Sequence, residues 1–143
     1  MKTILLSLTL AITSFILNAQ SISETTTSDG TTLTVTITLQ GSGGHILVSL
    51  HNEASFNKKP IDAASIEIKD GQAIATFKNV SPGEYGVVVL HDKNDNKQMD
   101  FEPTGRPKEA FGISNNVMLM GPPQWSDAKF EVSNEPLSID IRL

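Results

Sequence analysis

The sequence predicts an all-β fold: an antiparallel β-sandwich of about seven strands, immunoglobulin-like or prealbumin-like in outline, with one long irregular loop. Short segments alternate apolar and polar residues with the period of two that marks a half-buried strand. Turn residues such as Asp70-Gly71 and Ser81-Pro82-Gly83 separate these segments, and no window after the first twenty residues shows a helical period. Many short strands with turns between them are typical of a two-sheet sandwich.

The predicted strands follow one another along most of the chain. The first alternates four apolar residues with four threonines, and Asp70-Gly71 predicts a hairpin between the third and fourth because both residues tolerate positive φ. The fifth carries apolar residues on both faces, which predicts a central position. In chain order the predicted strands are 31–39, 45–51, 64–69, 72–78, 84–91, 128–132 and 137–143.

The first 19 residues are predicted to be a secretory signal peptide. Lys2 is followed by an uncharged run, 4–17, and small Ala19 marks the cleavage edge. The run is shorter than the ~20 residues that span a bilayer, and no second apolar segment follows. We therefore expect a single domain at 20–143, secreted or periplasmic, with no membrane span in the mature chain.

Composition excludes several classes of protein. The chain has 143 residues and no cysteine, so a disulfide scaffold, a thiolate zinc site, a cysteine nucleophile and a lipobox anchor are excluded. Its 11 Lys and Arg against 16 Asp and Glu give a formal net charge of -5. Nucleic acid is not expected as a partner, because its binding depends on Lys and Arg neutralising phosphates.

One connection is longer than the others. Between His91 and Ala128 lie 36 residues with little periodicity, and a connection this long in a small domain is usually a functional loop. Val117 to Met120 is the one place in it where a short edge strand is predicted. A functional site is expected in this connection.

The start of this connection has the composition of a calcium loop. Side chains that carry oxygen stand at every second position, and calcium takes six to eight oxygen ligands. Two carboxylates with neutral amides also limit repulsion before an ion binds. The predicted ligands to Ca²⁺ are Asp92, Asn94, Asn96, Gln98 and Asp100.

The pattern departs from an EF-hand. Lys97 stands where that loop needs glycine, Pro103 stands where it needs a bidentate glutamate, and the preceding segment is a strand. The site would then be a calcium loop on a β-scaffold, with Glu102 or a backbone carbonyl completing the shell. The alternative is a solvated turn in which Asp and Asn side chains cap their own backbone.

Three motifs follow one another in this order: His91-Asp92-x-Asn94-x-Asn96 with Asp100, Gly105-x-Pro107-x-Glu109-x-x-Gly112-x-Ser114-Asn115-Asn116, and Gly121-Pro122-Pro123 with Asp127-Ala128 and Phe130. In these motifs, and over roughly 31–143, the sequence resembles DUF2141, a family of bacterial secreted domains without an assigned function. The resemblance implies a β-sandwich with the Asp/Asn loop at the centre of the motif. The sequence departs from the commoner family pattern at Lys97, where glycine usually stands.

Other chemistry is weakly represented in the sequence. No serine lies in a nucleophile elbow, and the three histidines, His45, His51 and His91, lack the spacing of a known metal motif. His91 is expected to bond to the loop that begins beside it. Trp125 is expected to seal the edge of the core, the alternative being a stacking platform for a sugar or peptide.

These patterns predict a module that is not an enzyme and has no catalytic residues. We expect it to act as a binding or structural domain with a glycan or protein ligand, stabilised by calcium. The alternative is a glycan-active hydrolase that uses loop carboxylates such as Asp100 and Glu102, since glycoside hydrolysis needs two carboxyl groups.

Overall fold

The computed structural model describes residues 30–143, so the predicted signal peptide, 1–19, lies outside the described residues. Within residues 30–143 no helix is long and apolar enough to cross a bilayer. The fold class is all-β, as predicted. The strands are β1 (Thr31–Thr38), β2 (His45–His51), β3 (Asp62–Glu67), β4 (Gln72–Val80), β5 (Gly83–Asp92), β6 (Phe111–Ile113), β7 (Phe130–Val132) and β8 (Leu137–Arg142).

The strands form two sheets. The smaller sheet has three strands in the order β4-β1-β8, and the larger has the order β3-β2-β5-β6, with β7 also paired to β5. β5 is therefore central, as its two apolar faces predict. The connection after β6 adds a 3-10 turn (Ser114–Asn116) and one helical turn, α1 (Trp125–Ala128).

A single main core takes side chains from both sheets. In β1 the inward residues are fully buried while the threonines between them face outward. Each buried aliphatic side chain stabilises the fold by roughly 1.5–3 kcal/mol relative to its exposed state. The buried core residues contributed by the central strands are Leu33, Val35, Ile37, Ile46, Val48, Leu50, Val87 and Val89.

One strand pair runs against the predicted antiparallel pattern. β1 is antiparallel to β4 but parallel to β8, with Val35 opposite Ile139. A parallel pair needs a long crossover connection, and strands β2 to β7 supply it here. The alternation of apolar residues determines which face a strand buries but not the direction in which it runs, so the sequence pattern does not predict this parallel pairing.

The turn at Asp70-Gly71 is confirmed, with φ of 52° and 74°. The predicted pairing across it is wrong. β3 pairs with β2 in the larger sheet, β4 pairs with β1 in the smaller, and only Lys69 bridges to Gln72 across the turn. The turn is thus a corner between the sheets, which lets β3 and β4 contribute apolar residues to the core from opposite sides.

The predicted edge strand at 117–120 is also wrong. The edge position beside β5 belongs to β6, where Ile113 lies opposite Val88. A Cβ built on Gly112 of β6 would lie 2.9 Å from Leu143 Cδ2, so the end of the chain packs directly on the β6 backbone. The three residues of β6 are too few to show a period of two in the sequence. Residues 117–120 are apolar, which suggested a strand, but they do not pair with a sheet.

Candidate functional site

The acidic loop, residues 92–109, joins β5 to β6. Its two ends meet where the backbone N–H of His91 donates to the carbonyl of Ala110 at 2.8 Å. A second closure follows inside the loop, where the N–H of Lys108 donates to the carbonyl of Asp100 at 2.9 Å. The loop is therefore divided into a first turn at 92–100 and a small hairpin beyond it.

The first turn is wrapped around the side chain of Asp92, which is only 1% exposed. Its Oδ1 accepts the backbone N–H of Asn96 at 3.1 Å, and its Oδ2 accepts that of Lys97 at 2.7 Å. Hydrogen bonds to an ionised acceptor are roughly twice as strong as neutral ones, and they offset the cost of burying the charge. Asp92 thus fixes the conformation of the turn.

Three of the predicted calcium ligands contact one another. Asp100 Oδ2 accepts hydrogen bonds from the side-chain amides of Asn94 at 2.7 Å and Asn96 at 3.0 Å. The amide oxygens face the backbone: Asn94 Oδ1 accepts the N–H of Asn96, and Asn96 Oδ1 accepts the N–H of Gln98. These bonds are the self-capping that Asn supplies in turns, and they draw the oxygen-bearing side chains together.

The remaining predicted ligands lie further out. Gln98 is exposed and enters the network through its backbone N–H. Glu102, one of the two groups expected to complete the shell, accepts a hydrogen bond from Thr104 Oγ1 at 3.4 Å in the hairpin beyond the first turn. The structure therefore brings Asp92, Asn94, Asn96 and Asp100 into one network but places the Glu102 side chain in a different contact.

Glu109 closes the loop from its far end, and sequence reasoning missed this role. Its side chain is 6% exposed. Oε1 accepts the N–H of Lys93 at 2.9 Å, and Oε2 accepts that of Asp100 at 3.3 Å. The residue is part of the family motif, but its sequence separation from the loop start carries no signal that it returns there.

Two residues of the first turn have left-handed backbone conformations. Lys97 has φ of 61° and Asp95 has φ of 58°. Lys97 stands where an EF-hand loop has glycine, the residue that adopts positive φ most readily. A non-glycine residue in this region costs roughly 1–2 kcal/mol, so the hydrogen bonds to Asp92 hold the turn against local strain.

A histidine from a neighbouring strand contacts the same turn. His45 Nδ1, at the start of β2, lies 2.5 Å from Asp95 Oδ1. This hydrogen bond is the main reason that the pKa of His45 is raised; desolvation opposes it, and the charges of Asp95, Glu67 and Asp92 add to it. The pair joins the exposed side of the first turn to the larger sheet.

The other two histidines have separate structural contacts. His91 Nε2 lies 2.9 Å from the carbonyl of Gly43, in the turn between β1 and β2, and not against the acidic loop as expected. His51 contacts the Ser55 carbonyl and Ser49 Oγ. In the part of the chain that the structure describes, no three His, Cys, Asp or Glu side chains are grouped so as to hold a metal ion.

Trp125 packs at the edge of a small second core. Its ring meets Phe56 edge to face, with centroids 5.5 Å apart, and it lies against the cluster of Phe56, Ile113 and Ala128. This is the sealing position that the sequence predicts. The buried Ser114 hydroxyl donates to the Ala128 carbonyl beside it and ties the 3-10 turn to α1.

The fold and the loop define a small all-β domain in which a self-capped Asp/Asn turn lies at one end of the central strand. Residues 34–140 match the family DUF2141, described as an uncharacterized protein conserved in bacteria. The chain belongs to this family, which confirms the resemblance drawn from its motifs. A search of curated proteins finds no match.

Proposed function

We propose that this chain is a non-catalytic bacterial module, secreted or periplasmic, that binds a glycan or protein ligand or serves a structural role. In this proposal the first turn of the acidic loop takes a calcium ion, with Asp92, Asn94, Asn96, Gln98 and Asp100 as the ligand set. The ion would hold the loop in one conformation and would take no part in a reaction.

The convergence of side chains in the first turn carries this proposal. Asp92 lies inside the turn, and Asn94 and Asn96 both reach Asp100. The atoms available to an ion are carboxylate and amide oxygens, the ligand types that calcium takes. Each amide oxygen accepts one backbone N–H and has a second lone pair.

Calcium binding requires a local change at the two asparagines. Their nitrogens now donate to Asp100, and these N–H donors would repel a cation placed beside that carboxylate. Binding must exchange the two amide hydrogen bonds for contacts between the ion and oxygens. The free energy of those bonds, about 1 kcal/mol each, therefore opposes binding and favours an affinity in the weak range of extracellular modules, roughly 0.1–1 mM.

The hydrolase alternative has less support from the same contacts. A general acid and its partner must face a sugar from two sides. Asp92 is buried under the turn, Asp100 is bonded to two amides, and Glu102 faces Thr104 in the hairpin. These carboxylates bond to the loop's own donors, as an architectural role requires.

Thermal unfolding in calcium, magnesium and chelator tests the proposal. A ligand that binds only the folded state adds RT ln(1 + [L]/Kd), about 1–2 kcal/mol at a few millimolar calcium, which is several degrees for a domain of this size. Magnesium should give less, because it needs tight octahedral geometry. Equal melting temperatures in calcium and chelator would contradict calcium binding.

Matched variants identify the ligands. Asp100→Asn keeps the shape of the side chain but removes a charged ligand, so the calcium-dependent shift should largely disappear. Glu102→Gln makes the same change in the hairpin beyond the first turn and should leave the shift in place. Turnover of a polysaccharide that survives in chelator and is lost in Asp100→Asn would instead support the hydrolase.

A further inference from the structure

Two methionines are almost fully exposed on the segment that follows the 3-10 turn. Met118 is 83% exposed and Met120 is 93% exposed. Between them Leu119 is partly buried and packs against the second core, which contains Phe56 and Ile113. Leu119 therefore anchors the segment, and both thioethers are left on the solvent side.

The chemistry of this pair differs from that of the acidic loop. Single exposed apolar residues are normal, but here two thioethers recur at alternate positions around one partly buried anchor. Thioether sulfur is a soft ligand that selects Cu(I) among biological metal ions, and the chain has no cysteine to offer instead. We propose that Met118 and Met120 together bind a soft monovalent cation, Cu(I) or its analogue Ag(I).

The local backbone allows both sulfurs to reach one ion. Val117, which leads into the pair, is extended with φ of -69° and ψ of 135°, and the sequence of exposed Met118, partly buried Leu119 and exposed Met120 is the alternation of an extended segment. Residues two apart in an extended chain are separated by roughly 6–7 Å, and each methionine has three rotatable side-chain bonds. Cu(I) and Ag(I) accept two ligands on opposite sides, so two sulfurs can coordinate the ion without a third protein group.

Methyl NMR with Ag(I) as the probe tests this pairing. With ¹³C in the methionine methyl groups, the signals of Met118 and Met120 should shift together during the titration. Met99, which lies in the acidic loop, is the internal control and should not move at the same concentrations. Calcium should leave the Met118 and Met120 signals unchanged, which separates this site from the one proposed in the loop.

Single variants distinguish a shared site from two independent sulfurs. In Met118→Leu the Ag(I) affinity reported by the Met120 methyl should fall at least tenfold, and Met120→Leu should have the reciprocal effect. Competition with a chromophoric Cu(I) chelator in the absence of oxygen should show the same order. Unchanged affinity at the remaining methionine, or shifts of equal size at Met99, would overturn the proposal.

Discussion

At Asp92 and Glu109, two buried carboxylates accept four backbone N–H groups of the acidic loop. One carboxylate comes from the start of the loop and the other from its end. Because each oxygen has its own donor, neither group is exchangeable for a neutral side chain of the same shape. The conformation of the loop is thus set by side chains that its own two ends supply.

Replacing Glu109 by glutamine should show this requirement. The amide keeps one oxygen for a backbone donor but places an NH2 group against the other, so one of the N–H groups of Lys93 and Asp100 is left unpaired. We expect a loss of about 1–3 kcal/mol, measured by urea unfolding. Glu131→Gln, on the exposed side of β7, should change stability by less than about 0.5 kcal/mol.

The contact between His45 and Asp95 should make stability depend on pH. The folded-state pKa of His45 is raised above its usual value of 6.5. Because the pKa is raised, the stabilisation of the folded state by the contact between His45 and Asp95 is fully present below the unfolded-state pKa. It is lost as pH rises through the folded-state pKa. The stability that this pair contributes should therefore decline as pH rises above the usual histidine pKa of 6.5.

Asp95→Asn provides the comparison for that decline. The difference in urea midpoint between the wild-type protein and Asp95→Asn should be larger near pH 6 than near pH 8.5, because the fraction of protonated His45 falls as pH rises. A difference that is constant across this range, or one that grows with pH, would contradict the assignment. Titration of the His45 ring signals by NMR measures the pKa directly.

The residues that converge within the first turn could be predicted from their spacing, but the distant residues that contact the turn could not. Alternate Asp and Asn side chains indicate a self-capped turn or an ion loop, and Asp92, Asn94, Asn96 and Asp100 do converge. Glu109 and His45 reach the same turn from distant positions. Only the pairing of β2, β5 and β6 places them there, and local sequence does not encode it.

At the scale of elements, the turn between β1 and β2 packs against the start of the acidic loop. Gly44 has φ of 71°, and a Cβ built on it would lie 2.1 Å from the Asp92 carbonyl oxygen. Gly43 also has positive φ, 88°, but has no atom within 4 Å of such a Cβ. Gly43 is therefore required only by its backbone conformation, whereas Gly44 is required both by its conformation and by the close approach of the Asp92 backbone.

Alanine at these two positions should have unequal effects. Gly43→Ala adds only the strain of a left-handed residue, roughly 1–2 kcal/mol. Gly44→Ala adds the same strain and also forces the turn away from the backbone of β5, so we expect a loss of about 3 kcal/mol or more. Urea midpoints of the two variants measure the difference, and equal losses would show that the two elements separate easily.

Sequence patterns were most informative where an element depends on its own residues. The four threonines that alternate with buried residues of β1 identify its inward face, and Asp70-Gly71 identifies a turn. Pairing depends on elements far apart in the chain. β3 therefore pairs with β2 instead of β4, and the edge strand in the long connection is the short β6 and not the predicted 117–120.

For the whole molecule, the signal peptide prediction concerns residues 1–19. The motivation is the uncharged run after Lys2 that ends at Ala19, the pattern of an exported protein. We expect the protein recovered from its native host to begin at Gln20 or close to it, measured by intact mass or N-terminal sequencing. Recovery with Met1 retained would contradict both cleavage and the proposed location.

The parallel pairing of β1 with β8 joins the first and last strands of the domain. During synthesis, β1 is complete long before β8 exists. Contacts this distant in sequence form slowly, so the small sheet stays incomplete until the final residues arrive. The core of this domain therefore closes only after its last strand has been added.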